Sequence, residues 1–150
     1  MEPIQRTAFA TWKGGLESGA GAVSTESKAL QNEGFAFKRR VTAESPGTNP
    51  EELLAAAAAA CFSMALSKTL EDRGHTAEEL NVIAELCLEV RDEGPKITEL
   101  KLTAEGEVPG MDENDFRTAV ESTRESCPVY QLLAAGLEQT SVEAILDGEL

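Results

Sequence analysis

The sequence predicts an α+β fold in which antiparallel β-sheets surround a long buried helix. Three features predict it: strand-forming segments joined by glycines before residue 42, an almost wholly apolar helix after residue 49, and two alternating segments between residues 81 and 107. The chain has 150 residues, a common size for one domain, so we expect a single domain over residues 1–150.

Composition narrows the class of protein. Acidic residues outnumber basic ones, 27 to 13, which gives a formal net charge of −14 at pH 7. Because such a surface repels phosphate polyanions, nucleic-acid binding is not expected. The longest apolar run, residues 53–62, is about half of a membrane span, and the start of the chain lacks a basic segment followed by an apolar one. Neither a membrane nor a secretory signal is therefore expected.

Cysteine usage favours a reducing compartment. Cys61, Cys87 and Cys127 lack the dense spacing of a disulfide framework and the paired spacing of a zinc site. We therefore expect a cytoplasmic protein with free or catalytic thiols and no bound metal.

The N-terminal part predicts a β-meander. Residues 9–12 precede a pair of glycines, and residues 35–41 are rich in strand formers with partial alternation. Strict alternation from Phe35 would direct Arg39 toward the core, whereas a single bulge would direct Arg40 there instead. Both arginines stay candidates at this point.

A long helix should begin after this meander. Asn49 is placed to cap it, Pro50 suits the first helical position, and Gly74 is a stop signal. Residues 53–66 are apolar nearly all the way round, interrupted only by Ser63. Because a helix without a polar face must be buried on all sides, we expect a second copy of the chain to cover it, which predicts a homodimer.

An antiparallel strand pair should follow the helix. Residues 81–90 alternate between a polar face that includes Cys87 and an apolar face made of Val82, Ala84, Leu86, Leu88 and Val90. A turn at residues 92–95 leads to residues 96–107, which repeat the alternation as the partner strand. Because Cys87 lies between two glutamates that disfavour a thiolate, we expect it to be non-catalytic.

The remaining residues predict two helices and a last strand or frayed end. Asp112 is placed to cap the first helix, which should stop near Cys127 because Pro128 disfavours helical geometry before it. Pro128 can open a short second helix that ends around Gly136. We expect residues 139–150 to form either a last strand or a frayed C-terminal segment.

Five side chains are candidates for carrying chemistry. Cys61, in the middle of the apolar helix, is either a small core residue or a reactive thiol served by a nearby cation. Cys127 lies at a helix N-terminus, where backbone amides stabilise a thiolate, and it is either reactive or without a redox role. Glu51 could hold Arg39 or Arg40 so that the arginine supplies the cation that Cys61 needs.

The motifs of the chain resemble those of the OsmC/Ohr family of osmotically inducible and organic hydroperoxide resistance proteins, and its OsmC branch most. The resemblance covers nearly the whole chain and is specific in combination: Thr-Asn-Pro-Glu-Glu-Leu at residues 48–53, Ala-Cys-Phe-Ser-Met-Ala-Leu at 60–66, and Cys-Pro-Val at 127–129. Two departures are Ala58, where many members have a histidine, and Tyr130, where serine is common.

The resemblance implies a thiol-dependent peroxidase that reduces organic hydroperoxides, and hydrogen peroxide less well, without metal, haem or flavin. By this resemblance Cys61 attacks the peroxide, Cys127 resolves the product, and Glu51 pairs with Arg40 in preference to Arg39. It also implies a dithiol reductant and an intertwined homodimer, with the long helices at its centre and two sites at the interface.

Two other functions remain open on the sequence alone. The chain could be a non-catalytic dimeric protein whose cavity binds a hydrophobic ligand, in which case the cysteines are structural. It could also be a redox sensor that passes its oxidation to a partner.

Overall fold

Six strands and four helices make up residues 1–42 and 47–147, which are the residues that the computed structural model describes. Both sheets and helices are present, as the prediction of an α+β fold requires. The chain divides into two units, Met1–Leu53 and Leu54–Leu150. The single domain expected over residues 1–150 stays a prediction, and the last three residues of the predicted C-terminal segment lie outside the described ranges.

The first unit contains the predicted meander. Strands β1 (Ala8–Lys13), β2 (Ala20–Thr25) and β3 (Glu33–Phe35) pair antiparallel in the order β1-β2-β3. Gly14 has a φ of +96°, a conformation that side chains disfavour, at the point where the chain leaves β1. The rings of Trp12 and Phe35 lie 5.7 Å apart and join the first strand to the third. The β-meander prediction is confirmed.

The prediction of a strand over residues 35–41 is wrong. β3 ends at Phe35, and helix α1 (Phe37–Val41) follows after one extended residue, Ala36. Lys38 and the two arginines after it are good helix formers, and the segment is too short for alternation to distinguish a strand from a helix. The alternation that directed Arg39 toward the core therefore does not apply.

Helix α2 (Pro50–Asp72) begins where the sequence predicts it. The side chain of Asn49 accepts a hydrogen bond of 2.8 Å from the Glu52 backbone N–H, and Gly74, with a φ of +84°, follows the helix end. Asn49 thus satisfies one of the backbone donors that a helix start leaves without partners.

Only one side of α2 is buried within this chain. A stripe at four-residue spacing has no exposed surface and packs into the core of the second unit: Ala58, Phe62, Leu66 and Leu70. Met64, on another face, is 69% exposed. By length and composition alone this helix could cross a membrane, but the core helix of a globular protein meets the same two criteria. Within the described part of a single chain, helix α2 is therefore not buried on all sides.

The second unit contains a three-stranded sheet in the order β4-β5-β6. β4 (Glu79–Arg91) pairs antiparallel with β5 (Gly94–Glu107), as predicted, and β5 pairs parallel with β6 (Gln139–Leu146). The pairing of β4 with β5 shifts register between Cys87 and Leu88. Beyond that irregularity Val90, expected on the apolar face, is 70% exposed, so this residue was assigned to the wrong environment. Cys87 is exposed, as expected.

Two helices connect β5 to β6. The Asp112 side chain caps α3 (Glu113–Thr123) by accepting a 2.9 Å hydrogen bond from the Asp115 N–H. Helix α3 ends at Thr123 rather than near Cys127, and the chain passes through turns before α4 (Pro128–Ala134) begins. After Thr123 the backbone N–H groups of residues 124–126 bond to the carbonyl three residues earlier, which tightens the end of the helix into turns.

Candidate active site

Cys61 lies in the middle of α2, directly before the fully buried Phe62. Its thiol is half-buried, and its side chain packs against the core cluster of the second unit. It is neither sealed in the core nor on the open surface of the chain. A position of this kind suits a reactive group that a small molecule must reach.

Cys127 is the N-cap residue of α4. Its sulfur accepts a hydrogen bond of 3.5 Å from the Tyr130 N–H, and the residue has no exposed surface. The sequence places it at a helix start because Pro128 occupies the first helical position, where a missing N–H costs nothing. The structure adds that the sulfur is turned inward.

The pKa of Cys127 reflects both its burial and the nearby Cys61 side chain. Burial is the largest cause that raises the pKa of Cys127, which reaches about 11, and the interaction with the nearby Cys61 side chain raises the pKa further. The backbone amides of Tyr130 and Val129 oppose this rise but do not cancel it. Cys127 is therefore a neutral thiol beside Cys61 at neutral pH, and burial outweighs the stabilisation of a thiolate by the helix start. Both thiols are free in the described part of the chain.

Arg40 and Glu51 form an ion pair in the first unit. Arg40 donates from Nε and from Nη2 to Glu51 Oε1, at 2.8 and 2.7 Å. The Glu51 side chain is 9% exposed and that of Arg40 is 32% exposed. Glu51 occupies the first turn of α2, where the helix dipole favours a carboxylate.

Arg39 has a different environment from Arg40. Its guanidinium packs against the backbone at Gly34 and Gly47, where a side chain at either glycine would collide with it. Of the two candidate arginines, Arg40 is the one that pairs with Glu51. The structure thus pairs Arg40 with Glu51 in the first unit, and in the second unit it packs Cys61 against the cluster that contains Cys127.

Sequence reasoning missed the aromatic residues around the cysteines. The motifs give Tyr130 no role beyond a departure from the family pattern, yet it is buried and its ring contacts Phe62. The signal available in the sequence was its place three residues after Cys127, on the same face of a short helix. Ala58 is fully buried in the α2 stripe, one turn before Phe62. Across residues 1–42 and 47–147, no group of three or more His, Cys, Asp or Glu side chains could hold a metal ion.

Comparison with known proteins identifies the family. The family model described as OsmC-like protein matches residues 42–141. The chain belongs to the OsmC family. The family predicted from the motifs is confirmed.

Individual relatives agree with this assignment. The chain is 42% identical to Peroxiredoxin OsmC of Escherichia coli strain K12 over 132 residues, which cover 88% of this chain and 92% of that protein. It is 28% identical over 141 residues to an organic hydroperoxide resistance protein of Xanthomonas axonopodis pv. citri, with 93% and 94% coverage.

Solved structures of the OsmC family have the same fold. An organic hydroperoxide resistance protein OsmC from Legionella pneumophila superposes with a TM-score of 0.71 at 26% identity, covering 94% of this chain and 99% of that one. An OsmC-like protein from Mycoplasma pneumoniae gives a TM-score of 0.74 at 15% identity, with 97% and 99% coverage, and supports the fold alone. The α+β fold class predicted from the sequence is confirmed.

Proposed function

We propose that this OsmC-family chain is a cytoplasmic, cysteine-based peroxidase that reduces organic hydroperoxides, and hydrogen peroxide less efficiently. The observation that carries the proposal is that Cys61 packs against the buried cluster of the second unit that contains Cys127. The two side chains are near enough for Cys61 to raise the pKa of Cys127. The names of the relatives in Escherichia coli and Xanthomonas support a hydroperoxide substrate. In this proposal Cys61 is the nucleophile and Cys127 is the resolving cysteine.

The chemistry has two steps that balance without a cofactor. The Cys61 thiolate attacks one peroxide oxygen, the O–O bond breaks, and the alkoxide takes a proton and leaves as an alcohol, so that Cys61 becomes a sulfenic acid. The Cys127 thiol then attacks the Cys61 sulfur, an S–S bond forms, and hydroxide leaves with the thiol proton as water. A dithiol reductant supplies two electrons and reopens the disulfide.

The burial of the two sulfurs supports this division of roles. Cys61 is the more accessible thiol, so a peroxide reaches it first. Cys127 has no exposed surface and holds its proton at neutral pH, which protects it from direct oxidation before Cys61 has reacted. A buried, protonated thiol near the nucleophile is therefore suited to react with the sulfenic acid once Cys61 has been oxidised.

Arg40 is proposed to supply the positive charge that the reaction needs. A guanidinium near the nucleophile favours the thiolate and stabilises the charge that develops on the leaving oxygen. Its ion pair with the buried Glu51 fixes the position of the guanidinium, so little reorganisation is required when the peroxide reacts.

The resemblance to the OsmC family implies an intertwined homodimer with its sites at the interface. In such a dimer the Arg40–Glu51 ion pair of one protomer is proposed to serve Cys61 of its partner. The exposed apolar Met64 on α2 is consistent with such a homodimer, since a second α2 would cover that side chain.

Titration of free thiols tests the proposed function. The reduced protein has three thiols per chain, and one equivalent of cumene hydroperoxide should remove two of them while producing one equivalent of alcohol. Repeated additions with dithiothreitol should then give continuous turnover. Thiol loss without steady turnover would favour a redox sensor, and unchanged thiols would favour a ligand-binding protein. A Cys87→Ser variant is the control, because its exposed thiol takes no part in the scheme.

A further inference from the structure

Tyr130 connects the surroundings of both cysteines. Its backbone N–H donates to Cys127 Sγ, the residue is 6% exposed, and its side chain reaches back to α2. There its ring meets the Phe62 ring edge-on, with centroids 6.3 Å apart and planes at 60°. Phe62 is the next residue after Cys61, so one aromatic contact links the two cysteine-bearing helices.

Two further contacts fix the Tyr130 ring. The Tyr130 hydroxyl donates a 2.9 Å hydrogen bond to Thr140 Oγ1 on β6, and the Arg124 guanidinium lies over the ring, 5.7 Å from its centroid. Arg124 Nη2 also donates to the Thr140 carbonyl over 3.5 Å, and Nη1 pairs with Glu121 on α3. The ring is thus held by α2, by the end of α3 and by β6, all within the second unit.

Disulfide formation is sensitive to this kind of positioning. The Cα atoms of a bridged pair must lie within roughly 7 Å, and the dihedral angle about the S–S bond is restricted to about 90° of either sign. A short helix such as α4, with seven residues, has little stability of its own and takes its position from tertiary contacts. The contacts of Tyr130 supply three such constraints on the helix that carries Cys127.

From these contacts we infer that Tyr130 is a positioning residue for the resolving step, which holds Cys127 beside Cys61 through Phe62, Thr140 and Arg124. The inference rests on the proposed function and deepens it. Attack on the peroxide uses Cys61 alone. Formation of the Cys61–Cys127 disulfide, here called closure, requires the Cys127 sulfur to displace hydroxide from the Cys61 sulfur. Loss of Tyr130 contacts therefore slows closure and leaves attack intact.

Three variants test this inference on the full chain. Tyr130→Leu removes the ring and the hydroxyl but stays apolar, and Tyr130→Phe removes only the hydroxyl that binds Thr140. Phe116→Leu is the matched control, because it shortens another fully buried aromatic residue, which lies beside Gly106 and Leu80. Rapid mixing with one equivalent of cumene hydroperoxide gives the rate of peroxide loss and, from thiol loss and dimedone trapping, the rate of closure.

The expected result separates the two steps. Tyr130→Leu should consume the first equivalent of peroxide within about twofold of the wild-type rate, while closure slows about tenfold and dimedone labels Cys61. Tyr130→Phe should slow closure about threefold, with the ring contacts retained. Phe116→Leu should close at the wild-type rate even if its melting temperature falls.

Other outcomes have distinct meanings. Wild-type closure in Tyr130→Leu, or equally slow closure in Phe116→Leu, would overturn the positioning role. If Tyr130→Leu does not fold, Tyr130→Phe decides the question, since closure at the wild-type rate would exclude a role for the hydroxyl anchor and overturn the inference. A wild-type protein that loses no thiols would instead refute the proposed function itself.

Discussion

Arg40 places two donors on one oxygen of Glu51, with Nε at 2.8 Å and Nη2 at 2.7 Å from Oε1. The other oxygen, Oε2, is buried and accepts no hydrogen bond from the described residues of the chain. A buried carboxylate oxygen without a hydrogen bond lowers the stability of the fold, and loss of the ion pair with Arg40 would lower it further. Arg40 should therefore matter both for stability and for the proposed reaction.

Replacement of Arg40 by alanine should impair both properties. Peroxide reduction, measured as kcat/KM with cumene hydroperoxide, should fall about 100-fold because the positive charge is removed. Stability to urea should fall by about 1 to 3 kcal/mol because Glu51 is left buried and unpaired. Arg40→Lys should recover part of the activity, since it keeps the charge but loses the forked geometry. An equal loss confined to Arg39→Ala would transfer the role to Arg39.

Mixed dimers should reveal which copy of the chain supplies the ion pair. A Cys61→Ser chain and an Arg40→Ala chain, carrying different purification tags, each form an inactive homodimer if the proposal is right. Their heterodimer contains one site with an intact Cys61 and a partner's intact Arg40, so it should recover about half of the wild-type activity. An inactive heterodimer of the same purity would mean that each chain completes its own site.

The cysteine variants should divide the reaction into its two steps. Cys61→Ser should abolish peroxide consumption, because no thiolate remains to attack. Cys127→Ser should complete one turnover and stop as a Cys61 sulfenic acid, which dimedone labels and mass spectrometry detects. Cys87→Ser should match the wild type. Continued peroxide consumption by Cys61→Ser would refute the assignment of the nucleophile.

Ionisation of Cys127 should lower the free energy of unfolding at alkaline pH. Burial raises its pKa from 9.0 to about 11, so the folded chain holds this proton more tightly than the unfolded chain does. The resulting stabilisation is complete below pH 9 and is lost as the pH rises to about 11. The free energy of unfolding of the reduced protein, relative to Cys127→Ala, should decrease across that window. A constant difference would argue against a buried, neutral Cys127.

The sequence predicts helices best where several local signals coincide. Asn49 and Pro50 combine a cap with a favoured first residue, and α2 begins at Pro50. Residues 37–41 have no such agreement, because aromatic and β-branched residues flank basic residues with helical preference, and the segment forms α1 instead of a strand. Over a segment of only five residues, the helix and strand propensities of individual residues are too weak to predict the secondary structure.

The sequence proposes the members of the candidate site but not their arrangement. Motif resemblance selected Cys61, Cys127, Arg40 and Glu51, but spacing along the chain does not tell how near two thiols on separate helices come. That proximity arises from packing of α2 against the helix pair between β5 and β6. The same packing gives Tyr130 its contacts, which no local pattern contains.

The parallel pairing of β6 with β5 has a consequence for how this unit opens. In that pairing Thr140 is opposite Leu100, so fraying of β6 would withdraw the anchor of Tyr130 at the same moment as it exposes the sheet edge. The strand and α4 should then open and reclose as a single cooperative segment, with matching hydrogen-exchange protection.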